Sequence, residues 1–159
     1  MSFQMYVPTR ILFGKGQLEG LHKQKLPGKK AMIVISNGKS TKRNGALEKT
    51  EKELKLAGAE TVLFDKIMPN PLKQTIMEGA AFAKENHCDF IVALGGGSVM
   101  DASKAIAAMA ANDGDLWDYI SGGTGKGLPL VQEPLPVIAI TTTAGTGSEV
   151  DQWGVVSNE

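Results

Sequence analysis

Ile91-Val92-Ala93-Leu94-Gly95-Gly96-Gly97-Ser98-Val99-Met100-Asp101-Ala102-Ser103-Lys104 is the stretch on which the fold turns. Four apolar residues in succession, without polar alternation, predict a strand covered on both faces, as in a parallel sheet. Three glycines at its carboxyl end remove every Cβ, so a ligand can lie against bare backbone amides. Ser98 and Asp101 form a serine-x-x-acid box, which predicts a helix capped by Ser98 and carrying Ala102, Ala105, Ile106 and Met109. The free N–H groups and the positive helix end then face whatever lies over Gly95, Gly96, Gly97 and Ser98, and a phosphate suits that place. A glycine run can also be a plain tight turn, but one glycine serves for a turn and three expose a wide amide surface. The run is not G-x-G-x-x-G, so that motif's detailed roles do not transfer.

Outward from this centre, residues 31–35, 61–64 and 137–140 read as further strands, the first and last of them continuous apolar runs. Between them fall a helix through Leu47, Leu54 and Leu56 that stops at Gly58, and a helix over 72–86 with Ile76, Ala80 and Ala83 on one stripe. Met68-Pro69-Asn70-Pro71 is a rigid turn, because two prolines bracket one polar residue. Residues 116–120 read as a short helical turn, and 121–127, with four glycines, as a flexible loop without assigned chemistry. Residues 3–8 and 10–13 are short apolar segments that predict a hairpin or edge pair broken at Pro8-Thr9. Gly14, Gly16 and Gly20 resemble a dinucleotide fingerprint one residue too long, but the acidic residue expected about twenty positions on is absent. They therefore read as punctuation before a short helix over 18–25.

Strands and helices alternate at the spacing of βαβ units, so the fold class is α/β, a parallel sheet with helices on both faces. Ligands of such sheets gather at the strands' carboxyl ends. Three loops meet that condition: 36–40, 95–98 and 141–148.

The chain has 159 residues, enough for one domain and too few for two of ordinary size. Its 17 basic and 17 acidic residues cancel, so no global field favours nucleic acid or a membrane surface as partner. No apolar run reaches the length of a membrane span. A single cysteine, Cys88, fits a reducing cytoplasm. Cys88 stands beside His87, but with no other Cys or His nearby the pair reads as structural rather than as a metal or nucleophile site.

The loop at 141–148 alternates hydroxyls with small residues, which suits Thr142, Thr143 and Thr146 to a sugar or phosphate lying close to the backbone. The other reading is a threonine-rich turn that caps itself. In Ser36-Asn37-Gly38-Lys39-Ser40 no acid is available to take both ribose hydroxyls or to repel a 2′-phosphate. Gly38 leaves space, Ser40 can donate, and Lys39, Lys42 and Arg43 bring positive charge, so NADP is expected ahead of NAD. A solvated basic helix start is the alternative.

These motifs together resemble the iron-containing alcohol dehydrogenases. The resemblance is carried by Pro8-Thr9-Arg10-Ile11 with Phe13-Gly14-Lys15-Gly16, Pro69-Asn70-Pro71, Gly95-Gly96-Gly97-Ser98 with Asp101 and Lys104, and the run from Thr142 to Glu149. It implies a Rossmann-like, dehydroquinate synthase-like N-terminal domain over 1–159, followed in the whole protein by a helical metal-binding domain that this chain lacks. It also implies that the glycine-serine motif holds the pyrophosphate, that the threonine loop touches ribose and nicotinamide, and that Asn70 approaches the adenosine side. Residues 37–45 are similar to the NADPH-dependent butanol and aldehyde reductase branch. Two departures stand out. Asp151 replaces the threonine or asparagine common in the family, and the metal's aspartate and three histidines have no counterpart, since only His22 and His87 are present.

The expectation is thus the NADP-binding half of a metal-dependent alcohol dehydrogenase or aldehyde reductase, binding cofactor but not turning over by itself. Iron or another divalent metal would belong to the parent protein only, with a small alcohol or aldehyde as substrate. A glycerol dehydrogenase or dehydroquinate synthase type of half, or a nucleotide-binding module without catalysis, are the alternatives. Surface left bare by a missing domain is expected to favour a homo-oligomer and to leave residues 150–159 poorly anchored.

Overall fold

The structure is a computed structural model that describes residues 2–3 and 6–158. Four parallel strands form one sheet: β1 (Lys30–Ser36), β2 (Glu60–Ile67), β3 (Phe90–Gly95) and β4 (Val137–Thr141), in the order β2-β1-β3-β4. Ile33 stands between Leu63 and Val92, and Ala93 pairs with Ala139. The predicted α/β parallel sheet is therefore the observed one.

Alternation within the buried strands sends side chains to two separate cores, as period-2 geometry requires. Met32, Val34, Ile91 and Ala93 pack with α3 (Lys73–Glu85) and α4 (Gly97–Ala111) through Ile76, Ala83, Ile106 and Met109. Ala31, Ile33, Ile35, Phe90, Val92 and Leu94 face the other way. They pack on Leu21 of a 3-10 helix (Gln17–Lys23) and on Leu47 and Leu54 of α2 (Ala46–Leu56), which follows the single turn α1 (Ser40–Arg43). Leu56 lies two residues past Leu54, off that stripe, and is exposed.

The remaining element, α5 (Leu116–Tyr119), opens with a capping box in which Asp115 accepts from the Trp117 amide. Residues 121–127 fold back on it, with the amides of Lys126 and Gly127 donating to the carbonyls of Trp117 and Ile120.

Four expectations are corrected. Residues 6–13 form no strand, so the proposed hairpin is absent there; Gln4 and Met5 of its first arm lie outside the described residues. Tyr6 and Phe13 are exposed, and residues 6–13 join none of the strands of the sheet. The helix expected over 18–25 is a 3-10 helix ending at Lys23. Ser98 is not a cap, because α4 already begins at Gly97, and its N-cap is Gly96 without any side-chain cap. Residues 150–158 are tied down: Ser157 donates its amide to Pro71 O (2.9 Å), accepts from the Lys73 amide (2.8 Å), and Val156 packs on the core. Glu159 lies outside the described residues.

Candidate functional site

From β1 the chain winds one way to β2 and the other way to β3, so the strand order reverses between β1 and β3. A crevice opens outside the carboxyl ends of two strands at such a point, because their following connections depart to opposite faces. The loops leaving Ser36 and Gly95 border this crevice, and the loop leaving Thr141 closes it on the β4 side. A cleft of about 250 Å³ occupies the place, lined by Ser36, Ser40, Gly95, Gly96, Gly97, Ser98, Thr142 and Thr143 among others.

Its floor is the first turn of α4. Val99 and Met100 both donate to the Gly96 carbonyl (3.0 and 3.1 Å), which leaves the leading amides, those of Gly97 and Ser98, without an acceptor among the described residues. No acidic residue stands in that first turn, so the helix end offers an anion unopposed positive potential. A Cβ on Gly96 would come 3.1 Å from Thr143 Oγ1, and one on Gly97 would come 3.0 Å from Thr146 Cγ2. The threonine loop thus lies so close over the glycines that a Cβ at either position would make its side chains shift.

That loop partly caps itself. Thr141 Oγ1 donates to Thr143 O (2.9 Å), the Ser148 amide donates to Thr146 Oγ1 (3.3 Å), and the Thr142 amide extends the sheet ladder to Gly95 O (2.9 Å). The hydroxyls of Thr142 and Thr143 keep no partner among the described residues, and both residues border the cleft.

Not every expected residue reaches the cleft. Gly38 and Lys39 are exposed beside it, and of that loop Ser36 and Ser40 form the wall. Lys42 is not a free charge: its Nζ sits 2.7 Å from Asp65, which holds the aspartate's carboxyl below the usual range. Asn70 takes a left-handed backbone (φ 54°) and is exposed, with its neighbours Met68 and Pro69 on the cleft wall. Asp101 turns away from the cleft to accept from Ser148 Oγ (2.6 Å) and from the Val155 amide (3.1 Å). Three lining residues escaped the sequence reading: Thr41, Ile67 and Val99. Ile67 could have been found as the end of an apolar strand, and Val99 as the residue just after the glycine-serine run. Thr41 is 3% exposed with an unpartnered hydroxyl, and nothing in its local sequence separates it from any polar helix residue.

A second hollow, about 210 Å³, opens beside β2 and α3; its charged lining is Asp65, Lys66, Glu78 and Glu85, with Lys66 paired to Glu78 and Asp65 to Lys42. Among the described residues no group of three or more His, Cys, Asp and Glu side chains is gathered that could hold a metal ion. His22 is tied to Glu53 (2.6 Å), and Cys88 is buried. The described residues do not fit a metal. No helix among the described residues is long and apolar enough to cross a membrane.

Comparison with known proteins bears on the family and the fold. The family model for iron-containing alcohol dehydrogenase matches residues 8–159. The chain is 38% identical over 157 residues to probable NADH-dependent butanol dehydrogenase 1 of Bacillus subtilis, covering 99% of this chain and 39% of that protein. It is 37% identical over 164 residues to 1,3-propanediol dehydrogenase of Citrobacter freundii, covering 99% and 41%. Among solved structures, NADH-dependent butanol dehydrogenase A from Thermotoga maritima superposes with a TM-score of 0.87 at 31% identity, over 99% of this chain and 38% of that one. Sulfoacetaldehyde reductase from Bifidobacterium kashiwanohense, solved with NAD+, gives 0.80 at 31% identity, over 99% and 40%. The chain thus spans about two fifths of the length of the curated relatives it matches.

Proposed function

Because the chain belongs to the iron-containing alcohol dehydrogenase family, we propose that its 159 residues form the dinucleotide-binding unit of an enzyme that moves hydride between a small alcohol or aldehyde and NADP. The observation that carries this reading is the pair of unpartnered amides at Gly97 and Ser98, set at the switch point of the sheet beneath a hydroxyl-bearing loop. Those amides would take the pyrophosphate, since two aligned N–H groups and the helix dipole act on the same oxygen atoms. Thr142 and Thr143 would hydrogen-bond the nicotinamide-side ribose, Thr146 would cover it from above, and Ser36, Ser40 and Asn70 would meet the adenosine side. When bound, the cofactor would supply the hydride acceptor, and these residues would hold and orient it.

The preference for NADP rests on what residues 36–40 lack and what they leave open. No carboxylate lies between Ser36 and Ser40, while Gly38, exposed Lys39 and Ser40 leave a 2′-phosphate both room and donors. The carboxylate at the end of β2, Asp65, is occupied by Lys42. Relatives named NADH-dependent weigh toward NAD, so a titration of both cofactors into the chain is the decisive test. NADP is expected to bind at least about tenfold tighter, roughly the worth of one charge-assisted contact. Equal affinities, or tighter NAD, would remove the NADP preference and leave the dinucleotide site standing. No binding of either would end the reading altogether. Aldehyde reduction by the isolated chain is expected to be absent, because no metal-binding group is assembled among the described residues.

A further inference from the structure

We propose that Lys104 is the positioning residue of the threonine loop: it straps residues 148–155 to α4 and so sets the height of Thr143 and Thr146 above the glycine floor. This inference rests on the dinucleotide reading given above for its consequence, and on protein contacts alone for its geometry.

Lys104 Nζ donates to Ser148 Oγ (2.9 Å), to Asp151 Oδ1 (2.8 Å) and to the Trp153 carbonyl. An ammonium group has three N–H donors, and here three protein oxygens take them. Nothing is left over for a phosphate, so this lysine acts through the chain and not on a ligand. Asp101, one turn earlier on the same helix face, completes the strap. It accepts from Ser148 Oγ (2.6 Å) and from the Val155 amide (3.1 Å), and its Oδ1 lies 3.9 Å from Nζ. Asp151 also accepts the Trp153 amide (2.9 Å), so one carboxylate fixes both the lysine and the turn that follows it. The contact is close enough to matter: a Cβ on Gly154 would stand 3.3 Å from the Asp101 backbone. Ser148 is 6% exposed and the Lys104 side chain 20%, so the inner end of this network is shielded from water, while the Asp151 side chain, 41% exposed, faces it.

The strap runs straight into the site. The Ser148 amide donates to Thr146 Oγ1, and the Thr146 methyl lies over Gly97. Gly145 and Gly147 on either side of Thr146 have φ of 107° and 75°, and glycine, without a Cβ, leaves the backbone free to move between such conformations and others. A loop with such joints holds one position only if its far end is fixed. Ordering a freed loop then falls to the moment of binding, which weakens affinity without any loss of direct contact.

The test uses the chain itself with Lys104→Met, Lys104→Arg and Asp151→Ala, read by hydrogen exchange without cofactor and by NADP titration. Lys104→Met is expected to speed exchange of amides in 142–155 by at least about tenfold while β3 and the core of α4 stay protected. It is also expected to weaken NADP by about tenfold, with Lys104→Arg recovering part of both effects. Asp151→Ala decides the sign. If Lys104 reached for phosphate, removing the competing carboxylate would free its charge and tighten NADP; as a strap, the same change loosens the loop and weakens it. Unchanged exchange in Lys104→Met, or tighter NADP in Asp151→Ala, overturns the proposal. If the unaltered chain binds neither dinucleotide, the functional reading fails, and the exchange data still decide whether Lys104 fixes the loop.

Discussion

Replacing Gly95 with alanine is expected to destabilise the fold by about 2 to 3 kcal/mol, the upper part of the range for adding one carbon to a tight core. The new Cβ would stand 2.6 Å from Val99 Cγ2, 2.8 Å from its Cβ and 3.2 Å from its Cγ1, where carbon atoms ordinarily rest about 3.5–4.0 Å apart. Val99 cannot swing clear. It is 3% exposed, and a β-branched side chain in a helix has one dominant rotamer. Nor can Gly95 retreat, since its carbonyl accepts the Thr142 amide at 2.9 Å and its strand lies between two others. The start of α4 has to move, and with it the amides that line the cleft floor. Urea unfolding followed by far-UV circular dichroism reads the effect. With a slope of about 1–3 kcal/mol/M for a small protein, the midpoint should fall by roughly 1 M at unchanged slope. Val99→Ala in the same chain should give part of it back, with a coupling of about 1 kcal/mol between the two sites. A Gly95→Ala protein within about 0.5 kcal/mol of the original, or strict additivity with Val99→Ala, would refute the steric argument.

One position on, Gly96→Ala places its Cβ 3.1 Å from Thr143 Oγ1, the tip of an exposed side chain that can rotate away. Stability should change by less than about 1 kcal/mol while dinucleotide affinity drops, and a large stability loss in urea would contradict that division. The Glu53 carboxyl is held below the ordinary glutamate range, first by the hydrogen bond from the His22 ring and then by the His22 amide. A lowered folded value means that this contribution is whole above the usual glutamate pKa and is lost as pH falls through the folded one. The melting temperature of the original chain should therefore fall more steeply on acidification than that of Glu53→Gln; parallel profiles would show that the pair contributes nothing. Burial pushes the Cys88 thiol up, so a thiol-specific disulfide reagent should label it slowly in the folded chain and fully in urea. Fast labelling of the folded form would mean that the β3 entrance opens readily.

Much of this architecture was legible because it depends on short-range signals. Continuous apolar runs announced β1 and β3, glycine and proline marked where helices stop, and Gly95 to Ser98 marked residues that line the cleft. Ser98 misled because a capping box and a helix interior can share one sequence; the helix starts one residue before Ser98, at Gly97, with Gly96 as its N-cap. Residues 6–13 misled because a short apolar segment can pair with a strand without any strand being there to receive it. The engagement of Lys42 by Asp65 and of Lys104 by Ser148 and Asp151 joins residues far apart in the chain, and no local pattern carries such partners. The same holds for Thr41, whose burial is set by the strands around it.

The placing of β3 between β1 and β4 has a consequence for how the nascent chain acquires its site. Once β1, α2 and β2 have left the ribosome they can zip together, whereas β3 joins β1 only after a second, longer closure with the whole of β2 and α3 intervening. A molecule halted at the first stage already has helix and strand but not the cleft between β1 and β3. In refolding, therefore, an NADP-sensitive signal should lag the recovery of far-UV ellipticity.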